Sequence, residues 1–284
     1  MIHRRFTAQR LLLHAFLIGI ACVWFVPTVG VFVTSFRTPF DVASSGWWTV
    51  FRDPLGQHFT LDGYRTVIEK RSMDRAFLNS FIITVPATII PIIIAAFAAM
   101  AYAWMRFPLR MSLFGFTVAL VSVPLQATVI PILTTYNQVG LTGRYLGVWL
   151  VHTGYGLPLI IYFLHNFFKS LPHELFDSAA IDGASSVQTL LRIVLPLSVP
   201  ALASIAIFQF LWVWNDLFVA LIYLGGAPGV APLTVSLSNL VGSRGEGWEL
   251  LTAAAFVSSS VPLVVFFTLQ RYFVRGMLAG SIKA

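Results

Sequence analysis

One carboxylate lies deep in an apolar stretch of this chain: Asp216, in the run Trp212-Val213-Trp214-Asn215-Asp216. A carboxylate among indoles and a carboxamide can relay an ion, accept hydrogen bonds from sugar hydroxyls, or pair with a neighbouring helix. An acid at membrane depth is a functional-site candidate by default. Counted from Pro200, Asp216 lies about 24 Å along a helix, in the outer half of its segment or at the rim. Gln209, seven residues earlier on the same helical face, joins Trp212, Asn215 and Asp216 as candidates to line a translocation pathway. A turn of about 100° per residue spreads Trp212, Trp214, Asn215 and Asp216 around most of the helix, so they cannot share one wall. Other reactive types are poorly placed. His152 and His165 stand thirteen residues apart and read as polar groups satisfied by neighbouring helices. Ser258, Ser259 and Ser260 have no base nearby and read as a small-residue packing face. No phosphate-cradling Gly-x-x-x-x-Gly-Lys occurs, and no His, Cys and carboxylate cluster has metal-ligand spacing. The expectation is no catalytic residue, no metal and no cofactor bound by this chain.

The elements that must position these residues are set by lipid. Of 284 residues, 57% are hydrophobic and 10% charged, against about 25% charge in a soluble domain. Six apolar runs reach the roughly 20 residues a bilayer demands: residues 11–35, 77–104, 111–134, 145–168, 194–224 and 251–274. All read as helices, because an open strand in lipid leaves its backbone unpaired. The class is therefore all-α, a polytopic membrane protein with six transmembrane helices. The first run is too long for a signal peptide and reads as a retained span. Prolines within the runs, among them Pro86, Pro91, Pro124, Pro131 and Pro158, demand neighbours that satisfy the carbonyls they free.

Net charge is +7, but the basic residues flank apolar runs, which suits lipid headgroups and not nucleic acid. Arg4, Arg5, Arg10, Arg106, Arg110, Lys169, Arg192, Arg275 and Lys283 fall on one side and only Arg144 and Arg244 in the short loops opposite. The basic side, with both termini, is expected to face the cytoplasm of a cell membrane. Trp47, Trp48, Trp149 and Trp248 then fall near the outer interface. The lone Cys22 can form no internal disulfide. One membrane domain, 1–284, is expected, with a core over 73–274 and a C-terminal tail over 271–284.

Residues 177–196 break the pattern: Asp-Ser-Ala-Ala-Ile-Asp-Gly-Ala-Ser-Ser-Val-Gln-Thr-Leu-Leu-Arg-Ile-Val-Leu-Pro. Ser170 is expected to cap a helix with Pro172 in its first turn. Glu174 and Asp177 suit its positive end, and Gly183 ends it in left-handed geometry. Ser185 or Ser186 caps a second helix with an apolar stripe at Val187, Leu190, Leu191 and Val194. Small residues (Ser178, Ala179, Ala180, Gly183, Ala184) let another surface approach, and Asp177 and Asp182 flank them as acceptors.

Here the residues carry a family resemblance. Asp177-Ser178-Ala179, then Gly183, then Ile193-Val194-Leu195-Pro196 resembles the EAA signature of ABC-importer permeases in spacing, with Asp for Glu and Ser for Ala. Ala180-Ile181-Asp182-Gly183-Ala184, the run "FLNSFIITV" from Phe77, "QFLWVWNDLFVAL" from Gln209 and the tail "QRYFVRGMLAGSIKA" are similar to the carbohydrate, maltose-type branch, in its shorter permease subunit. The resemblance implies a type I ABC importer permease fold with an ATPase-coupling loop over 170–196. Asp177, Ser178, Ala179, Ala180, Asp182, Gly183 and Ala184 would form its coupling surface. The tail, through Gly276, Gly280 and Lys283, would touch the ATPase as an extended segment. It implies a second permease, two ABC ATPases that carry ATP and Mg, an extracellular sugar-binding protein, and a di- or oligosaccharide cargo such as an α-glucoside. The mixed-charge loop 37–76 offers a docking surface for that binding protein.

Two other classes compete. An ion-coupled secondary transporter would use Asp216 as its coupling group, but expects buried acids on several helices. An intramembrane enzyme needs a paired nucleophile and base at depth. Both leave the 177–196 loop without a purpose.

Overall fold

The computed structural model describes residues 2–54, 56–70, 73–227, 229–240 and 247–279. Helix dominates, and the extended pairing found among the described residues is a single bridge between Arg37 and Phe59. The chain forms two compact units, Met1–Asp74 with Leu237–Ser259, and Arg75–Ser236 with Ser260–Ala284.

The first unit contains α1 (Ile2–Thr34), whose side chains from Gln9 onward are mostly exposed. Phe32 packs against Phe256 with ring centroids 5.1 Å apart. After α1 the chain turns around a buried arginine. Arg37, read from sequence as one charge in a solvated loop, is 2% exposed. Its guanidinium donates to Ser45 O and Asp41 O, both at 2.9 Å. Burial of a charge is tolerable only with such partners. Asp41 caps its own short helix with Thr38: the Thr38 hydroxyl donates to Asp41 Oδ2 at 2.9 Å, and Asp41 N donates back at 3.2 Å. That hydroxyl bond, with help from the His58 N–H and the nearby His58 ring, holds the Asp41 carboxyl below the usual carboxylate range, against the opposing effect of burial.

The second unit is built on α2 (Met73–Trp104) and α5 (Tyr145–Lys169), with α3 (Arg110–Ala119) and α4 (Leu125–Val139) between them in sequence. α2 contains Pro86 and Pro91 yet stays continuous. Each proline lacks an N–H and so orphans the carbonyl four residues earlier, at Ile82 and at Ala87. Trp149 Nε1 donates to Ile82 O at 2.9 Å, and Gln209 Nε2 donates to Ala87 O at 3.1 Å. The repair expected of neighbouring helices is thus visible bond by bond. Trp149, expected near the outer interface, thus gives its indole N–H to a helix backbone.

Among the described residues four helices, Gln9–Thr34, Met73–Trp104, Tyr145–Lys169 and Trp248–Gln270, are long and apolar enough to cross a membrane unbroken. The other two expected spans, 111–134 and 194–224, are not continuous helices. Arg110–Ser122 meets Leu125–Val139 at 98°, and Ser186–Leu197 meets Val199–Trp214 at 80°. Counted as one span each, they complete the six. The first break falls at Pro124, whose extended backbone precedes α4 and whose ring disfavours helix in the residue before it. The second falls at Ser198, next to Pro200. Two buried clusters hold this unit together. One joins Ile83 and Ala87 to Val148, Val151 and Tyr223; the other joins Ala95, Ala96 and Ala99 to Ile160, Leu164, Leu190 and Val194.

Candidate functional site

The polar connection folds as two short helices. α6 (His173–Ile181) has Pro172 as its N-cap, with no side-chain cap, and Glu174 in its first turn. Ser170 is not the cap expected of it. It ends α5 instead, its hydroxyl donating to Phe167 O at 2.7 Å. Pro172 fits the cap because its φ is preset and the missing N–H has no helical acceptor at that position. Gly183 follows with φ of 74°, the left-handed geometry that glycine adopts without strain. α7 (Ser186–Thr189) then starts on Ser185 with a full capping box: Ser185 Oγ accepts from Gln188 N, and Gln188 Oε1 accepts from Ser185 N at 2.8 Å.

Of the expected coupling residues, Asp177, Ser178, Ala180, Asp182 and Gly183 are exposed and Ala184 is half-buried. Ala179 is not on that outer face; it is 4% exposed and packs inward. The apolar stripe splits in the same way. Leu190 and Val194 are buried, while Val187 and Leu191 are half exposed, because residues Leu190–Val194 widen into a π-helical turn that shifts the register. Burying those two side chains contributes about 1.5–3 kcal/mol each and fixes the connection onto α2 and α5.

Two residues of this site were not singled out from sequence. Ile181, at the tip of α6, is 86% exposed, an apolar knob on a polar loop. Trp104, the last residue of α2, stacks on Phe176 with centroids 3.6 Å apart and planes 18° apart. It meets the His173 ring edge-on at 4.6 Å and donates from Nε1 to Phe168 O at 3.0 Å. One indole thus ties α6, the end of α5 and the end of α2 together. An apolar Ile amid Asp, Gly and Ala was a legible signal. Trp104 carried none, because it ends a run in which tryptophan is unremarkable.

The pathway candidates divide. Asp216 follows α8 (Val199–Trp214) and precedes α9 (Phe218–Leu224). Its Oδ2 accepts from Ala220 N at 2.9 Å and its Oδ1 from Val219 N at 3.3 Å, so it caps α9. Thr234 Oγ1 donates to Asp216 O at 2.6 Å. The ring of buried His152 lies 3.8 Å from Asp216 Oδ2. Both Asp216 oxygens are thus engaged by backbone N–H groups. Asn215 is exposed and returns its side-chain N–H to Leu211 O at 2.8 Å. Trp212 and Gln209 do line a cavity, of about 970 Å³, within the second unit. In the tail, Gly276 lies inside α10 (Trp248–Ala279), so the extended segment expected there is helical as far as Ala279; Gly280 and Lys283 lie outside the described residues.

Membrane-crossing helices, two of them broken, at Pro124 and at Ser198, and an exposed helix–Gly–helix connection bolted to the ends of two others describe an integral membrane permease. Residues 87–279 match the family described as binding-protein-dependent transport system inner membrane component, and the chain belongs to that family. It is 57% identical over 277 residues to the osmoprotective compounds uptake permease protein GgtD of Synechocystis sp. (strain ATCC 27184 / PCC 6803 / Kazusa), covering 97% of this chain and 93% of that one. It is 55% identical over 245 residues to the alpha-glucoside transport system permease protein AglG of Rhizobium meliloti (strain 1021), covering 84% of this chain and 64% of that one. A solved bacterial ABC transporter involved in import of the acidic polysaccharide alginate superposes with a TM-score of 0.73 at 22% identity, over 92% of this chain and 95% of that one. That likeness is one of fold: the fold of an ABC importer permease. Membership of this family leaves no place for the ion-coupled reading of Asp216.

Proposed function

We propose that this chain is one of two permeases in an importer that moves an uncharged carbohydrate, such as an α-glucoside, across the cytoplasmic membrane. Two ABC ATPases would bind and hydrolyse ATP, and an extracellular binding protein would deliver the solute. Both termini and the 170–196 connection would face the cytoplasm, as the excess of arginine and lysine on that side favours. The solute class rests on relatives above half identity that are named for osmoprotective compounds and for α-glucosides. An α-glucoside accumulated as an osmoprotectant satisfies both.

The observation that carries the coupling role is the mounting of α6. A bare outer face (Asp177, Ser178, Asp182, Gly183, with Ile181 at its tip) sits on a back fixed to α2 and α5 by Trp104, Phe176, Ala179 and Leu190. A helix held that way passes a push on its outer face to two spans as a rigid body. The test is to purify the full assembly and measure uptake and ATP hydrolysis in proteoliposomes. α-Glucosides such as trehalose, sucrose and maltose are expected to stimulate hydrolysis through the binding protein. Uptake by this chain alone, without nucleotide, refutes the proposal.

A further inference from the structure

The 970 Å³ cavity is at the upper end of the range for small-molecule sites, about 300–1,000 Å³. It lies at the elbow between α3 and α4, against α5 and α8. Its walls carry aromatic faces from Tyr136, Tyr155 and Trp212, and amides from Gln126 and Gln209. Among the described residues no lysine, arginine, aspartate, glutamate or histidine lines it.

Backbone groups add to its polar surface, and the reason is chemical. Pro158 lacks an N–H and so orphans the carbonyl of Gly154; both residues line the cavity. The matching carbonyls in α2 are repaired by Trp149 and Gln209. Among the described residues no side chain donates to Gly154 O. α4, which also lines the cavity, begins at Leu125 after the break at Pro124. Of its first-turn N–H groups, Ala127 donates back to Pro124 O at 3.0 Å, whereas those of Leu125 and Gln126, which line the cavity, have no helical acceptors. Irregular backbone at membrane depth persists where it meets water or a polar solute. A carbonyl acceptor on α5, amide donors at the start of α4 and aromatic faces in the same cavity match a pyranose, which offers hydroxyls at its rim and C–H faces above and below. Trp212 is braced from behind by the buried ring of His152, edge-on at 5.4 Å, which Asp216 approaches in turn.

We infer that this cavity binds an uncharged glycoside directly, with Trp212 and Tyr155 as stacking walls and the Gly154 carbonyl and the α4 N-terminus as hydrogen-bonding groups. This subunit then contacts the cargo itself and selects against charged sugars such as uronates. The inference rests on the carbohydrate reading above.

Gly154 supplies the test, because a Cβ there meets nothing within 4 Å and added bulk extends into open space. The full permease–ATPase complex is placed in nanodiscs without binding protein. Saturation-transfer NMR is then recorded with maltose, sucrose and trehalose, and with a diuronate of equal length. Transfer is expected to at least one neutral disaccharide and not to the diuronate. Gly154→Trp should abolish it while Gly154→Ala keeps it. Trp212→Ala should raise the half-saturating concentration about tenfold and Trp212→Phe much less. Transfer unaffected by Gly154→Trp, transfer to the diuronate as strong as to the neutral sugars, or no transfer to any neutral sugar overturns the inference. So does loss of the partner permease on purification of Gly154→Trp, since the cavity would then be covered by protein. Wild-type uptake in proteoliposomes is scored separately, so the importer reading stands or falls independently.

Discussion

Trp104→Ala should loosen the proposed coupling helix without unfolding the permease. The substitution removes the Phe176 stack and the His173 edge contact, and aromatic pairs contribute about 0.5–1.5 kcal/mol each beyond burial. It also removes the hydrogen bond to Phe168 O, a further net contribution of about 1 kcal/mol. Against these stand Ala179, Leu190 and Val194, which remain buried. The net weakening of the α6 attachment is about 2 kcal/mol, a factor of roughly 30 in the population of the detached state. Amide exchange across residues 173–182, followed by mass spectrometry, should accelerate by that order, with exchange in α2 and α5 unchanged outside their last turns. Trp104→Phe keeps a stacking ring and loses only the donor, so its acceleration should be about fivefold. In proteoliposomes the loosened helix wastes strokes: solute moved per ATP hydrolysed falls in Trp104→Ala while hydrolysis persists. Exchange at 173–182 equal to wild type in Trp104→Ala would refute the claim that this indole holds the helix.

Four other outcomes follow from the geometry. Gln209→Leu leaves Ala87 O unpaired inside α2 and should destabilise the protein by about 1–3 kcal/mol, read as a lower midpoint in detergent melting; an unchanged midpoint means another group satisfies that carbonyl. Asp216→Ala removes the cap of α9 and should cost about 1–2 kcal/mol, with Asp216→Asn milder because one acceptor survives; equal melting of both variants and wild type argues against the cap. At Gly183 the left-handed φ penalises Leu by about 1–2 kcal/mol, and Asn less. A new Cβ there meets nothing in this chain, so abolished ATPase co-purification in Gly183→Leu, with Gly183→Asn normal, marks contact with a second protein, whereas normal co-purification and uptake in Gly183→Leu removes the coupling assignment. Asp41 has its carboxyl held low when folded, so its stabilisation is present above the ordinary carboxylate pKa of about 3.9 and is lost as pH falls through the lower folded value; Trp47 and Trp48 emission should report loosening on acidification below about pH 4, and Asp41→Asn should flatten that dependence.

Much of this was legible because lipid imposes strong rules. Run length gave the six crossings, and the prolines gave the demand for external donors. Which donors answered was not legible: Trp149 and Gln209 reach carbonyls 67 and 122 residues away in sequence, and no local pattern encodes such a pairing. The two elbows were missed for a related reason, since a continuous apolar run does not reveal where its axis turns. In the connecting loop, Gly183 and Ser185 did what their chemistry demands locally. Ser170 did not, because Pro172 already occupied the cap position. Asp216 drew attention as a charge in an apolar run, and its local chemistry, an acid just before a helix, is what the bonds from Val219 and Ala220 express. Arg37 looked like one loop charge among many, and only the folded turn shows it buried.

The two side-chain bonds to α2 bear on how such a molecule can change shape. With Ile82 O tied to α5 through Trp149 and Ala87 O tied to α8 through Gln209, bending α2 at its prolines would strip both bonds in a medium that offers no substitute. The proline-bearing rod is thereby the stiff member of the machine, contrary to the usual suspicion of proline. Compliance is left to the corners at Pro124 and Ser198. A turnover cycle would pivot there, one corner beside the cavity and the other at the end of the 170–196 connection proposed to couple.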